Sequence, residues 1–142
     1  MGGSAREMKR IVIVGASSGL GLEVAKLLLA EGHSLGVAAR REDRLMALKQ
    51  EAPDRVDVAT IDVTAVDAPV RLRELIGQLG GMDLYFHVSG IGKQNRELIE
   101  EIELNTVNTN GMGFTRMIGE AYRYFLTSSM RHRRWHFTFS RY

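Results

Sequence analysis

Seven residues near the start of the chain, Gly15-Ala16-Ser17-Ser18-Gly19-Leu20-Gly21, have the types and spacing to hold a phosphate. They follow Ile11-Val12-Ile13-Val14 directly, a β-branched run that reads as a buried parallel strand. Leu20, Val24, Leu27 and Leu28 then recur at helical spacing. Strand, glycine turn and helix N-terminus in that order make an anion site. Backbone N–H groups point at the anion, and the helix dipole favours negative charge there. Glycines also occur at such turns for backbone reasons alone. Setting separates the two cases, and here both flanks fit.

Further chemistry lies at the ends of later apolar runs. Val37-Ala38-Ala39 runs into Arg40-Arg41. A dinucleotide fold that binds free ribose hydroxyls carries an acid at this place. None is present, and a guanidinium suits a 2′-phosphate instead. With Glu42 and Asp43 beside them, the two arginines also fit a solvated pair at a helix start. Asp62-Val63 follows the third apolar run, where an Asp can cap the turn before the next helix. His87-Val88-Ser89-Gly90 ends the fourth. No partner motif surrounds His87, so it reads as a packed or capping residue. The histidines at 33, 87, 132 and 136 have no metal-ligand spacing, because the stretch between the last two is Arg-rich and repels a cation.

The elements that must position these residues alternate. Strands are expected at about Arg10–Val14, Ser34–Ala39, Val56–Ile61 and Met82–Val88. Helices are expected at about Leu20–Glu31, closed by Gly32 as a left-handed cap, and at Glu42–Glu51. A third starts near Asp67 with Pro69 in its first turn and stops at Gly80-Gly81. A long helix covers about Arg96–Leu126, with a break at Asn110-Gly111. This order predicts an α/β Rossmann-type doubly wound parallel sheet. Right-handed crossovers place its strands 3-2-1-4 and a ligand across the carboxyl ends of strands one and four.

The 142 residues suffice for a single domain with its own core, flanked by a tail at 1–8 and an atypical basic tail at 127–142. Hydrophobic content of 44% and charged content of 25% suit a globular protein in water. Without cysteine there is neither a disulfide framework nor a thiolate metal site. No stretch is long and apolar enough for a membrane span, and Met1–Arg10 does not read as a secretory signal, so a cytoplasmic location is expected. The net charge of +2 comes from the tail: without Arg131, Arg133, Arg134 and Arg141 it becomes −2. No nucleic-acid surface is expected across the domain. In the tail, Trp135, Phe137 and Phe139 alternate with His136, Thr138 and Ser140, which suits a fifth, edge strand with Arg-rich flanks.

The G-x-x-x-G-x-G spacing with Ala-Ser-Ser inside it resembles the cofactor loop of the short-chain dehydrogenase/reductase family. The likeness runs over about Met8–Leu126, the N-terminal, cofactor-binding part of such proteins. It implies NADP(H) in preference to NAD(H), held by Gly15, Ser17, Ser18, Gly19, Leu20, Gly21, Arg40 and Arg41. It implies an adenine contact for Asp62, helped by the backbone of Val63, beside the turn-capping role. At His87-Val88-Ser89-Gly90 the family has N-N-A-G, of which only the glycine is kept. Ser89 and Gly90 still let backbone approach the cofactor, whereas His87 and Val88 cannot reproduce two Asn amides. Thr106-Val107-Asn108-Thr109-Asn110-Gly111-Met112-Gly113 resembles the family stretch t-i-x-v-N-x-x-G. That makes Asn110 the asparagine that holds a water of the catalytic proton relay. Asn108, also with a glycine three residues on, is the other candidate.

The activity implied is hydride transfer between a nicotinamide and a small carbonyl or alcohol substrate. The family's catalytic Ser and Tyr-x-x-x-Lys have no match. None of Tyr85, Tyr122, Tyr124 and Tyr142 has a Lys four residues on, and Lys93 is the last lysine. The chain as it stands is therefore expected to bind cofactor without turnover. Shifted by one base, permitted codons of His132–Phe137 read Ile-Ala-Val-Gly-Ile and then Ser, close to the family's fifth strand and serine. The alternative is a non-catalytic dinucleotide-binding or oligomerising module. The family's habit of pairing through the long helix makes a homo-oligomer an expectation of both readings.

Overall fold

The first strand, β1 (Arg10–Val14), is apolar along its length because both of its faces are covered. A computed structural model describes residues 7–17, 19–88 and 100–128, without the side chains of Glu103 and residues 106–110. After β1 come α1 (Gly19–Ala30), β2 (Ser34–Ala39), α2 (Glu42–Glu51), β3 (Val56–Thr60), α3 (Ala68–Leu79) and β4 (Leu84–His87). Then follow α4 (Glu100–Val107), a π-helical segment (Asn108–Gly113) and α5 (Phe114–Thr127). Every strand pair is parallel, and the order is β3-β2-β1-β4, the Rossmann-type order expected from the alternation.

Side chains alternate across the sheet with period two. Val12 and Val14 meet Leu72, Leu75 and Ile76 of α3 and Met117, Ala121 and Phe125 of α5. Ile11 and Ile13 meet Ala25 and Leu29 of α1 and Leu45 and Leu48 of α2. Two helices therefore cover each face, and the strand ends stay free to carry a site. Register brings those ends level: Val14 pairs with Ala38 on one side and His87 on the other, and Ala39 pairs with Thr60. None of the described helices is long and apolar enough to cross a membrane.

Most boundaries agree with the sequence expectation to within one or two residues, the usual scatter of element ends. Gly32 closes α1 at φ 94°, and its N–H reaches the Leu29 carbonyl at 3.0 Å. Three expectations need correction. The third strand stops at Thr60, although the Ile61 N–H still reaches the Ala39 carbonyl at 3.0 Å. The fourth strand starts at Leu84 rather than Met82: the Met82 N–H goes to the Tyr124 hydroxyl at 3.0 Å, and Asp83 bonds Arg10 with its side chain as well as its backbone. Its Oδ2 accepts the Arg10 N–H at 2.9 Å and the Arg10 Nε–H at 3.3 Å.

The long helix changes form midway. Its break is a π-helical segment six residues long, wider than the Asn110-Gly111 point expected. Asn and Gly are poor α-helix formers, and a wider turn absorbs them where neighbours demand it. Here the demand comes from Gly113: a Cβ on it would lie 2.7 Å from Val63 Cγ2. Beyond the break, α5 is anchored on α3. The buried Glu120 carboxylate accepts Arg73 Nε at 2.7 Å and Arg123 Nη2 at 3.1 Å. The fifth strand expected at 135–140 lies outside the described residues.

Candidate functional site

The glycine turn leaves β1 at the carboxyl edge of the sheet, between β2 and β4. Gly15 has φ 94°, a region side chains disfavour, and its N–H donates to the Ala38 carbonyl at 2.7 Å. The Ala16 N–H reaches the same oxygen at 3.3 Å. The turn is thus pinned to β2 before it rises into α1. Gly19 opens α1 at φ 59°. Gly21, the third residue of the helix, faces back onto the loop. A Cβ there would lie 2.0 Å from the Gly15 carbonyl oxygen and 2.8 Å from its carbon. Only glycine permits this approach, which holds the first turn of α1 against the end of β1. The first amides of a helix have no intrahelical acceptor, so Gly19, Leu20 and Gly21 offer donors where an anion would sit. Leu20 is exposed at the rim. The Ser17 carbonyl accepts a long hydrogen bond from Arg44 Nη1 at 3.4 Å, a tie from α2 that sequence reasoning missed.

Arg40 directly follows β2 and is exposed. Arg41, also exposed, precedes α2 in extended conformation and makes no side-chain cap bond. Asp62 follows the end of β3 by two residues. Its Oδ1 accepts the Thr64 hydroxyl at 2.7 Å and the Thr64 N–H at 3.0 Å. Those bonds hold the Asp62 carboxyl below its ordinary range, and the positive charge of Arg40 adds to the effect. The turn-capping reading of Asp62 is therefore observed, and Arg40 and Asp62 share one electrostatic neighbourhood. Val63 is buried, with Gly113 of the π-helical segment against its side chain and its carbonyl oxygen.

Other sequence candidates are placed less fully. Ser18, Ser89 and Gly90 lie outside the described residues. The backbones of Asn108 and Asn110 lie in the π-helical segment, and their side chains are outside the description. Val88 is in place, its N–H on the Val14 carbonyl at 2.9 Å. His87 is a fully buried packing residue. Its Nδ1 shares a hydrogen bond with the Tyr85 hydroxyl at 2.9 Å, and Phe114 stacks edge-on at 5.0 Å. Nε2 is buried without a hydrogen-bond partner among the described residues. Desolvation lowers the His87 pKa from 6.5 to about 4 and pushes the Tyr85 phenol up. Both stay neutral at physiological pH, so the pair is a poor proton carrier.

Sequence reasoning also missed Arg116. Its Nη1 donates to the Thr64 carbonyl at 2.7 Å and ties α5 to the turn that carries Asp62. The Asp62/Thr64 spacing was a findable signal, since Asx turns bond two residues on. Arg116 had none, being 52 positions away.

Comparison with known proteins gives the setting. The short chain dehydrogenase family model matches residues 9–132. An uncharacterized oxidoreductase of Mycobacterium tuberculosis is 40% identical over 94 residues, covering 62% of this chain and 37% of the relative. A probable NADP-dependent dehydrogenase of Dichelobacter nodosus is 45% identical over 58 residues, 41% of this chain and 55% of the relative. The structure of an alcohol dehydrogenase from the archaeon Thermococcus sibiricus, complexed with 5-hydroxy-NADP, aligns with a TM-score of 0.74 at 29% identity. That alignment covers 84% of this chain and 54% of the other. The chain thus spans only 37–55% of the length of these relatives.

Proposed function

The chain belongs to the short chain dehydrogenase family, and from that premise we propose that it is the NADP(H)-holding part of an oxidoreductase. The parent reaction is hydride transfer between the nicotinamide and a carbonyl or alcohol. The observation that carries the reading is the Gly15–Gly21 contact. A Cβ at Gly21 would fill the space that lets the loop lie on the helix start, and this closeness brings backbone donors to a pyrophosphate.

The residues present fit a dinucleotide. Gly15, Ser17, Gly19, Leu20 and Gly21 surround the pyrophosphate position, with Ser18 assigned there by resemblance alone. Asp62 and the Val63 backbone take the adenine. Arg40 takes the 2′-phosphate and Arg41 flanks it. Ser89 and Gly90 line the nicotinamide side by resemblance. Support for NADP over NAD comes from an exposed guanidinium where an acid would bind free ribose hydroxyls. The Dichelobacter relative is named as NADP-dependent, and the Thermococcus structure holds an NADP derivative. When bound, the nicotinamide supplies or accepts the hydride. Asn110 is assigned the relay water. The proton-transfer Tyr-x-x-x-Lys has no counterpart in this sequence, so the chain alone holds the cofactor without turnover.

A second reading, a module that works by pairing with another chain, draws on the exposed Leu104, Met112, Tyr122 and Leu126 of the α4–α5 arm. Sedimentation separates it: a monomer at micromolar concentration removes its support.

The test of the first reading is calorimetric titration with NADPH and NADH. NADPH should bind more tightly, and Arg40→Ala should weaken NADPH about tenfold or more while leaving NADH unchanged. Binding of neither dinucleotide refutes the reading.

A further inference from the structure

The turn after β3 is held from a distance. Asp62 is fixed by two hydrogen bonds from Thr64, and Thr64 is in turn held through its carbonyl by Arg116 Nη1 at 2.7 Å. Arg116 lies in the first turn of α5, one helical turn past Gly113, which closes on Val63 of the same turn. Two contacts therefore run from the junction of the π-helical segment and α5 to two adjacent residues, 63 and 64, next to Asp62. Arg116 is half-buried, and its bond to Thr64 is shielded in part from water. A guanidinium-to-carbonyl bond in such a place is stronger than an exposed one. It is also the contact here whose donor can be removed without touching the turn.

We propose that Arg116 is a positioning residue for the adenosine end of the site, acting through Thr64 to aim the Asp62 carboxylate. This rests on the dinucleotide reading above. The geometry explains why the carboxylate needs such help. Asp62 is exposed, and among the described residues its carboxylate is hydrogen-bonded by Thr64 alone, two residues on, while its carbonyl accepts the Ala65 N–H at 2.9 Å. Val63 is buried, but an exposed carboxylate held only by bonds within residues 62–65 samples several arrangements. A tether to a helix packed on α3 through Glu120 selects one of them. Preorganisation of this kind raises affinity without any contact to the ligand. It acts on the adenosine half, common to both dinucleotides, and so leaves their ratio alone.

The experiment compares the full chain with Arg116→Met and Arg116→Lys. NADPH and NADH affinities are read by calorimetry, and the Asp62 titration by carboxyl carbon NMR. Arg116→Met should weaken both dinucleotides by the same factor, about tenfold. It should also move the Asp62 midpoint up toward 3.8, the ordinary value. Arg116→Lys, which keeps a cationic donor, should restore most of both effects; a loss of packing alone would not follow charge in this way. Wild-type affinity in Arg116→Met, or an unmoved Asp62 midpoint, overturns the proposal and leaves the dinucleotide reading standing. Binding of neither dinucleotide by the wild type overturns that reading, and the proposal with it. If Arg116→Met does not fold, Arg116→Gln carries the same comparison, with the same two outcomes deciding.

Discussion

Acid should destabilise this chain chiefly through one buried imidazole. His87 sits at the end of β4 buried, its Nδ1 on the Tyr85 hydroxyl and its Nε2 without a partner among the described residues. Protonation would place a desolvated cation beside two aromatic rings, so the folded chain keeps the ring neutral down to about pH 4. The unfolded chain protonates near 6.5. Between those values the unfolded state binds more protons than the folded one, so stability rises with pH. The contribution is complete above pH 6.5, falls as pH drops toward 4 and levels off below. The gap corresponds to about 3 kcal/mol at roughly 1.4 kcal/mol per pH unit, against about 5–15 kcal/mol for a whole domain. Asp62, lowered from 3.8, acts mainly below this window. The assay is urea unfolding at half-unit steps from pH 7.5 to 4.5, for wild type and His87→Asn. Asn does not titrate, so the wild-type slope should exceed that of the variant below about pH 6.5 and match it above. Parallel curves would show that His87 is not the titrating group and would refute the argument.

Two further expectations concern space. Gly21→Ala drives a methyl into the Gly15 carbonyl at 2.0 Å; it should cost about 3 kcal/mol by denaturant unfolding and abolish NADPH binding in calorimetry. Gly113→Ala meets Val63 at 2.7 Å and should cost about 1–3 kcal/mol. Val63→Ala in the same chain should recover part of that cost, and additive losses in the double variant would disprove the contact.

The sheet and the glycine cradle were legible because their signals are local. The β1 run is apolar at every position because α1 and α2 cover one face and α3 and α5 the other. Strand order followed from right-handed crossovers between alternating elements. The left-handed cap at Gly32 and the Asp62 turn need only neighbours in sequence. What stayed hidden depends on packing between distant segments. Nothing near Asp83 announces that its carboxylate bonds Arg10, 73 positions earlier. The Asn110-Gly111 pair marked a weakness in the helix. Its π-helical form depends on Gly113 meeting Val63, fifty residues back in the chain. His87 looked like a packed residue from its isolation, but the shared hydrogen bond with Tyr85 required strand geometry. Arg44 and Arg116 are ordinary surface-type arginines until the fold brings backbone carbonyls to them.

The order in which the strands meet has a kinetic side. β1 pairs with β2 across 24 residues, Arg10 with Ser34, but with β4 across 73, Ile11 with Leu84. Closing the longer span costs about 1 kcal/mol more chain entropy. During synthesis from the N-terminus, β1, α1, β2, α2 and β3 emerge from the ribosome before β4 does. The Ile11 and Ile13 face can bury itself against α1 and α2 in that interval, whereas the Val12 and Val14 face must wait for α3 and α5. The Gly15–Gly21 cradle belongs entirely to the early half. The glycine corner of this chain is thus assembled first, while one side of its sheet is still exposed to any hydrophobic surface that reaches it sooner.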